Sequence, residues 1–490
     1  MRQVLRMALW TYRDHPGVAG ALRAQLSRLD EPLRVAIAGK VKAGKSTLLN
    51  ALVGEAIAAT DAGECTKVVT WYRDGPAPRI LMHPKEGQPR PVPVVRRDGV
   101  LEIDLGGTPA ERLDRLVVDW PAQSLRAMTL IDTPGIASLS TDVAARSLRF
   151  LGADEDTPTE ADAVLYLMRH LHVSDVDFLE SFRDQGVARA AAVNTVAVLS
   201  RADEIGAGRI DAMVSARGIA TRYRAEPALR DLCQNVVAVA GLLAHTGRTL
   251  RHSEFVELRD LAALDREKLD SVLLSADRFI GAELVESTVD LRRQLLQRFG
   301  VFGIRLATTL IRQGAGDPTD LARELVDASG LPDLQQVLHI QFAERYDVLK
   351  ARSALLALAR TLRVDDGRGL AGAVDRLLTS THEFVELRLL SALRAGTVTL
   401  PQPLSAEAER LLGDHGVAAP IRLGLPAGTD PRQLHATALA TLQRWRQHAE
   451  DPVLGHRATT ACRVIIRTCE GMLAHGAGAL APGGNLGATR

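Results

Sequence analysis

The run Gly39-Lys40-Val41-Lys42-Ala43-Gly44-Lys45-Ser46 has the form G-x-x-x-x-G-K-S, the spacing of a loop that wraps phosphate groups. Glycines let backbone N–H groups turn inward around an anion with no Cβ in the way. A helix that opens directly after the loop adds its positive N-terminal end. In that frame Lys45 neutralises the outer phosphates and Ser46 offers a hydroxyl to Mg²⁺, while the backbone from Gly39 to Thr47 forms the cradle. The chemistry is binding of a nucleoside triphosphate and, once a water is held in line, its hydrolysis.

Further motifs follow in the order that this chemistry needs. Asp132-Thr133-Pro134-Gly135 closes the run AMTLI, placing a carboxylate to hold Mg²⁺ through water and the Gly135 N–H to meet a γ-phosphate. Ser200-Arg201-Ala202-Asp203 closes VAVLS. Asp203 there suits the N1–H and exocyclic amine of guanine, and the Arg201 stem can cover one face of the base. Ser200 and Arg201 depart from the usual N/T-K-x-D letters, which weakens the case for guanine against a perfect match. A threonine completing the Mg²⁺ shell is expected between the loop and Asp132; Thr66, just ahead of a strand-like run, is preferred to Thr60. Ala240 and Gly241, after the last apolar run, are expected to contact the base.

These residues require a sheet whose strand ends meet. VVTWYR, RILMH, PVPVV, VLEIDL, LVVDWP, AMTLID, ADAVLYLM, NTVAVLS and VVAVAG are short, apolar or β-branched, and set off by Gly, Pro and Asp. Helical patterns between the later ones predict a doubly wound, mostly parallel sheet. Ser174 is read as the cap of one such helix. Past residue 245 only helical periods recur. Leu334, Leu338, Phe342, Leu349 and Leu356 form one stripe, and Leu370, Val374, Leu377, Phe384 and Leu387 another, both read as the seam of a helical bundle. Gly300 and Gly303 predict a kink or a close helix contact, and 396–430 an irregular excursion.

Lys+Arg 60 against Asp+Glu 59 leaves a net charge of +1, which argues against nucleic acid as a partner. Cys462 and Cys469, seven apart, read as small apolar residues on one helix face, without metal or disulfide spacing. No apolar run reaches the roughly 18–20 residues that span a bilayer, and no signal-peptide core is evident, so a soluble cytoplasmic chain is expected.

On AGKVKAGKSTLLNALVG, ECTKVVT, IDTPG, LSRADEI and SGLPDLQQVLHIQFAERYDVLKARSALLAL, the chain resembles the bacterial dynamin-like proteins over both its nucleotide part and its helical remainder. The resemblance implies an α/β P-loop GTPase domain (33–245) and an extended all-α neck and trunk. N-terminal neck helices would occupy 1–32, the remaining neck and trunk with a membrane-facing tip 246–476, and a disordered tail 477–490. It implies hydrolysis of GTP to GDP and phosphate with Mg²⁺, self-association through the GTPase domains, and remodelling, fission in particular, of an anionic phospholipid membrane. The expected location is cytoplasmic, peripheral at the inner face of the plasma membrane. Val41 stands where dynamins carry a water-positioning glutamine and cannot do that work. Lys42 stands where guanylate-binding proteins carry an internal arginine finger, so its ammonium is a candidate for transition-state charge, with a plain surface lysine as the alternative. The water is then left to backbone groups and Thr66.

A basic tip is read at Lys350, Arg352, Arg360, Arg363, Arg368 and Arg376, around a turn at 364–369, each charge adding about 1 kcal/mol beside an anionic bilayer. Asp365 and Asp366 oppose it. The alternative tip is 396–430, with Leu400, Leu404, Ile421 and Leu423. Two other functions fit the same residues: a regulatory GTPase whose helical part binds a protein, and a nucleotide-binding scaffold or tether with little turnover.

Overall fold

The computed structural model describes residues 1–58, 68–97, 99–134, 160–181, 194–230, 232–282, 288–364 and 370–480. Its strands are β1 (Leu33–Gly39), β2 (Val69–Asp74), β3 (Arg79–Pro84), β4 (Arg90–Val92), β5 (Val95–Arg97), β6 (Val100–Glu102), β7 (Leu113–Trp120), β8 (Met128–Asp132), β9 (Ala163–Met168), β10 (Thr195–Ser200) and β11 (Val236–Val239). Nine of them form one sheet in the order β11-β10-β9-β1-β8-β2-β7-β3-β4, and β5 pairs with β6 apart from it. From β11 to β8 every pairing is parallel. β2 turns antiparallel to β8 but parallel to β7, and β3 is antiparallel to both β7 and β4. The doubly wound core expected from the sequence is present, with a mixed extension on one side.

The central strands are buried on both faces, which is why they read as continuous apolar runs. Alternation still sorts their side chains. Val35, Ile37, Leu165, Leu167, Val196, Val198, Val237 and Val239 enter one core, and Ala36, Ala38, Val164, Tyr166, Ala197, Leu199, Val236 and Ala238 enter the other.

The principal helices are α1 (Arg2–Thr11), α2 (Pro16–Arg28), α3 (Lys45–Val53), α4 (Val173–Ser181), α5 (Ala212–Ala225), α6 (Gly241–Arg248), α7 (Val289–Gln313), α8 (Pro318–Ala328), α9 (Leu331–Leu338), α10 (Tyr346–Val364), α11 (Leu370–Ser380), α12 (His382–Arg394), α13 (Leu404–Leu411), α14 (Pro431–Ala449) and α15 (His456–Leu480). α4 is capped differently from expectation. Asp175, not Ser174, reaches back to accept from the His172 N–H at 3.0 Å. Gly300 does break α7, with φ 62, and a Cβ on Gly303 would stand 3.1 Å from Phe299 Cβ and 3.4 Å from Leu243.

Packing on the sheet continues beyond residue 245. Leu331, Leu334, Leu338, Phe342 and Leu349 complete the first core, so the stripe read as a bundle seam covers the sheet over most of its length. Burying each such side chain contributes about 1.5–3 kcal/mol. A π-helical turn at His339–Ala343 then shifts the register of the stripe. Beyond it Leu355, Leu358 and Leu362 meet Leu370, Val374 and Leu378, together with Leu5, Ala8, Tyr12 and Leu22 of the N-terminal hairpin. Periodicity fixes which face is buried, not what covers it.

The remaining helices build a fourth core around Leu390, Leu411, Trp445, Cys462, Ile465 and Cys469. Both cysteines are fully buried, as expected of small apolar residues. Leu400 and Leu423 belong to this core, which removes them from the alternative tip.

The basic tip also needs correction. Lys350 is 3% exposed, and its ammonium stands 2.8 Å from Asp162, a wholly buried carboxylate that Arg28 also reaches at 2.9 Å. A lysine held that way cannot meet lipid. Arg352 and Arg360 are half-buried on α10, and Arg376 is exposed on α11. The Arg363 side chain and all of Arg368 lie outside the described residues. No described helix is long and apolar enough to cross a membrane.

Candidate nucleotide-binding site

β1 delivers the chain to the phosphate loop, and close packing decides its first residue. Gly39 has φ 147, and a Cβ there would lie 2.4 Å from the Leu167 carbonyl oxygen on β9, so a side chain is excluded. The loop turns on a hydrogen bond from the Ala43 N–H to the Lys40 oxygen, 3.2 Å, with Lys42 at φ 62 and Gly44 at φ 89. Ala43 is buried, whereas Val41 and Lys42 face solvent. α3 begins at Lys45, so its free N–H groups point into the loop as the spacing predicts.

Lys45 folds back over the loop and donates to the carbonyls of Gly39 and Lys40, each at 3.3 Å. Burial lowers its proton affinity and the nearby Asp132 opposes that. Ser46 donates its hydroxyl to Asp132 Oδ2 at 2.8 Å. β8 is fixed beside β1 by Thr133, whose hydroxyl donates to the Ile37 oxygen at 2.9 Å. Asp132 is raised above the usual carboxylate range by burial, with Lys45 and Ser46 pulling it back. Its second oxygen, Oδ1, is buried and has no hydrogen-bond partner among the described residues. A buried, orphaned carboxylate oxygen beside a serine hydroxyl fits the outer shell of a hard, oxygen-seeking cation such as Mg²⁺. Thr66 and Gly135 lie outside the described residues.

A cavity adjoins the loop where the base of a nucleotide would sit. Its walls are Ala43, Gly44, Thr47 and Leu48 on one side, Leu167 and Val198 at the floor, and Ser200, Arg201, Asp203 and Glu204 opposite. Val239, Gly241 and Leu242 close it. Ser200 is tied down by donating to the Met168 oxygen at 3.2 Å. Arg201 takes a left-handed conformation, φ 52, and pairs with Glu204 at 2.6 Å, as does Arg169. Asp203 is half-buried, and that burial lifts its carboxyl above the usual range, with its own N–H opposing and Glu204 adding. A half-buried carboxylate at a cavity wall is suited to accept from two adjacent N–H donors.

Two site expectations change. Ala240 does not reach the cavity: it is wholly buried, and its N–H donates to the Ser329 oxygen at 2.9 Å. Gly241 does line the wall. The Lys40 side chain points away from the loop to Asp175, at 3.1 Å. Asp175 is 1% exposed and also accepts from the Tyr166 hydroxyl at 2.7 Å, which braces the loop against β9 and α4. The sequence holds a hint of this in the acidic residue at the start of α4. Leu167, Val198 and Leu242 are wall residues that no motif marked.

Residues 34–196 match the family described as 50S ribosome-binding GTPase. The chain is 44% identical to the isoniazid-induced protein IniC of Mycobacterium tuberculosis, strains CDC 1551 / Oshkosh and ATCC 25618 / H37Rv, over 97% of its own length and 98% of theirs. A bacterial dynamin-like protein of Nostoc punctiforme is 29% identical over 148 residues, 28% of this chain and 20% of that one. Among solved structures, an oligomerised bacterial dynamin pair, described as sensing and tethering membranes at long range, covers 96% of this chain with 78% of its own. The identity is 12% and the TM-score 0.32.

Proposed function

This chain belongs to the bacterial dynamin-like GTPases, the family of the mycobacterial isoniazid-induced protein, and from that premise we propose that it couples GTP hydrolysis to the binding and remodelling of anionic membranes. The observation that carries the nucleotide part of the reading is the part-buried contact of Ser46 with Asp132 beside Lys45, at a loop whose Ala43, Gly44 and Thr47 line a cavity that reaches Asp203. Ser46 and Asp132, with Thr66, would hold Mg²⁺, which when bound supplies positive charge to the β- and γ-phosphates.

In this reading the loop N–H groups from Lys40 to Gly44 hold the phosphates, and Lys45 exchanges its two carbonyl partners for phosphate oxygens. Gly135 donates to the γ-phosphate. Asp203 accepts from guanine, and the Arg201 stem covers the ring. Lys42, exposed and with no ion-pair partner among the described residues, is free to bring its charge to the transition state, in its own site or in that of a second copy. Residues 33–245 bind and hydrolyse GTP. The helices between 252 and 342, buried against the sheet, move with them. Residues 1–32 and the rest of the helical part pass the change on as neck and trunk. Self-association through the GTPase parts, attachment at the inner face of the plasma membrane, and fission as the outcome complete the proposal.

The test measures GTP turnover with and without vesicles of anionic phospholipid and pellets the same samples. Sedimentation of the wild type with vesicles, and loss of turnover in Lys45→Ala, are the expected results. Turnover without lipid association would replace the membrane reading with a regulatory GTPase. Lys45→Ala turnover equal to wild type would remove the phosphate-loop assignment.

A further inference from the structure

α1 carries two unlike faces. Leu5, Ala8 and Tyr12 are at most 1% exposed and pack in one core with Leu355, Leu358 and Leu362. The opposite face shows Arg6, Met7 and Trp10 to solvent, and Trp10 is 69% exposed. At 100° per residue these three fall within about a third of the helix circumference. The chain from Gln3 to Arg13 contains no acidic residue. Arg13 lays its guanidinium 4.7 Å from the Trp10 ring centroid. Arg6, and Arg23 on the neighbouring α2, make no ion pair among the described residues, whereas Asp30 is engaged by Arg2 at 2.6 Å.

We propose that this outer face of α1 is the surface that docks on an anionic bilayer, with Trp10 and Met7 entering the interfacial layer and Arg6 and Arg13 meeting headgroup phosphates. The proposal rests on the membrane reading above and gives it a site away from the 364–369 turn. Tryptophan suits a lipid interface because its ring is apolar and its N–H still finds a wet partner. The arginine stems can lie on acyl chains while their heads stay at the phosphates. Charge complementarity selects an anionic lipid surface: the patch is basic, and Asp14, the acid that follows it in the chain, already stands 3.7 Å from Arg13. The ends of this helical pair are tied to each other and to α10. Arg2 and Asp30 pin its base, and the Tyr346 hydroxyl donates to the Glu31 oxygen at 2.6 Å. α1 thus packs on α10, whose Lys350 meets, as Arg28 of α2 does, the Asp162 carboxylate just ahead of β9.

The experiment uses a built-in probe. Of the four tryptophans, Trp71, Trp120 and Trp445 are at most 8% exposed, so solvent-sensitive fluorescence belongs to Trp10. The full chain is mixed with phosphatidylglycerol/phosphatidylcholine vesicles and with vesicles of phosphatidylcholine alone, each with and without brominated acyl chains. With the anionic vesicles the emission shifts to the blue and is quenched by bromine, and both effects vanish in Trp10→Ala. Arg6→Ala/Arg13→Ala lowers co-sedimentation at least tenfold, while GTP turnover without lipid stays that of wild type. Circular dichroism checks the fold of each variant. Undiminished co-sedimentation of Trp10→Ala, with no bromine quenching of wild type, overturns the α1 site and leaves the membrane reading standing. A wild type that pellets with no vesicle removes both. A blue shift that grows with protein concentration in the absence of lipid overturns the proposal by making the face a contact between copies of this chain.

Discussion

Replacing Asp162 by asparagine tests whether one carboxylate joins three separate parts of the chain. Asp162 is 1% exposed, and it holds Arg28 of α2 at 2.9 Å, Lys350 of α10 at 2.8 Å and the Arg34 N–H at the start of β1 at 3.0 Å. The substituted amide keeps the shape but removes the charge that the buried Arg28 and Lys350 share, with Glu160 the other carboxylate that acts on Arg28. Breaking a buried pair from one side costs about 3–5 kcal/mol. An amide oxygen can still serve Arg34, so no further loss of about 1–3 kcal/mol for an orphaned N–H is added. Lys350→Met is the contrasting change. It removes one cation, fills the same space with an apolar stem, and leaves Asp162 paired with Arg28, so the expected cost is below about 2 kcal/mol. Urea denaturation followed by far-UV circular dichroism measures both. The reasoning is refuted if Asp162→Asn lies within about 1 kcal/mol of wild type, or if Lys350→Met costs as much as Asp162→Asn. Lys350→Met should also leave vesicle binding unchanged, because that ammonium faces Asp162.

Four other outcomes follow from the geometry. Asp203→Asn should cut the preference for GTP over ATP by about 10–100-fold, the worth of a hydrogen bond to a charged group, and an unaltered preference in competition binding would remove Asp203 from the base site. Lys40→Ala and Asp175→Asn should each weaken GTP binding about tenfold and together no more than either alone; independent losses that multiply would show that the brace does not exist. Gly330→Ala should destabilise by about 3 kcal/mol or more, because Gly330 has φ 77 and its Cβ would sit 2.2 Å from the Ala238 oxygen on β11. Gly314→Ala, at φ 118 but in open space, serves as its control in thermal melts. His245 is pushed down to about 4 by burial, with Arg298 adding. Between pH 4 and 6.5 the unfolded chain thus binds a proton that the folded one refuses, and stability rises with pH through that window. Up to about 3 kcal/mol should be lost on going from pH 7 to pH 4, and His245→Gln should flatten that part of the profile; an unchanged slope would count against the assignment.

Much of the nucleotide site was legible in the sequence because its determinants are local. Gly39 to Ser46 specify a loop by backbone freedom and the two residues that follow the second glycine, and the apolar runs ending at Asp132 and Ser200 bring their motifs to strand ends on either side of β1. Cys462 and Cys469 behaved as their helical spacing said. Tertiary structure decided the rest, and for one reason: a residue's type and period give its face, not its partner. Lys350 reads as a free charge until Asp162, 188 positions earlier, lies against it. Leu334 and Phe342 read as a bundle seam, yet the nearest apolar surface was the sheet. Ala240 lost its expected role because Ser329, brought in by α8, took its N–H first. Trp10 is the converse case. Only the packing of Leu5, Ala8 and Tyr12 determined which side of its helix remained open to solvent.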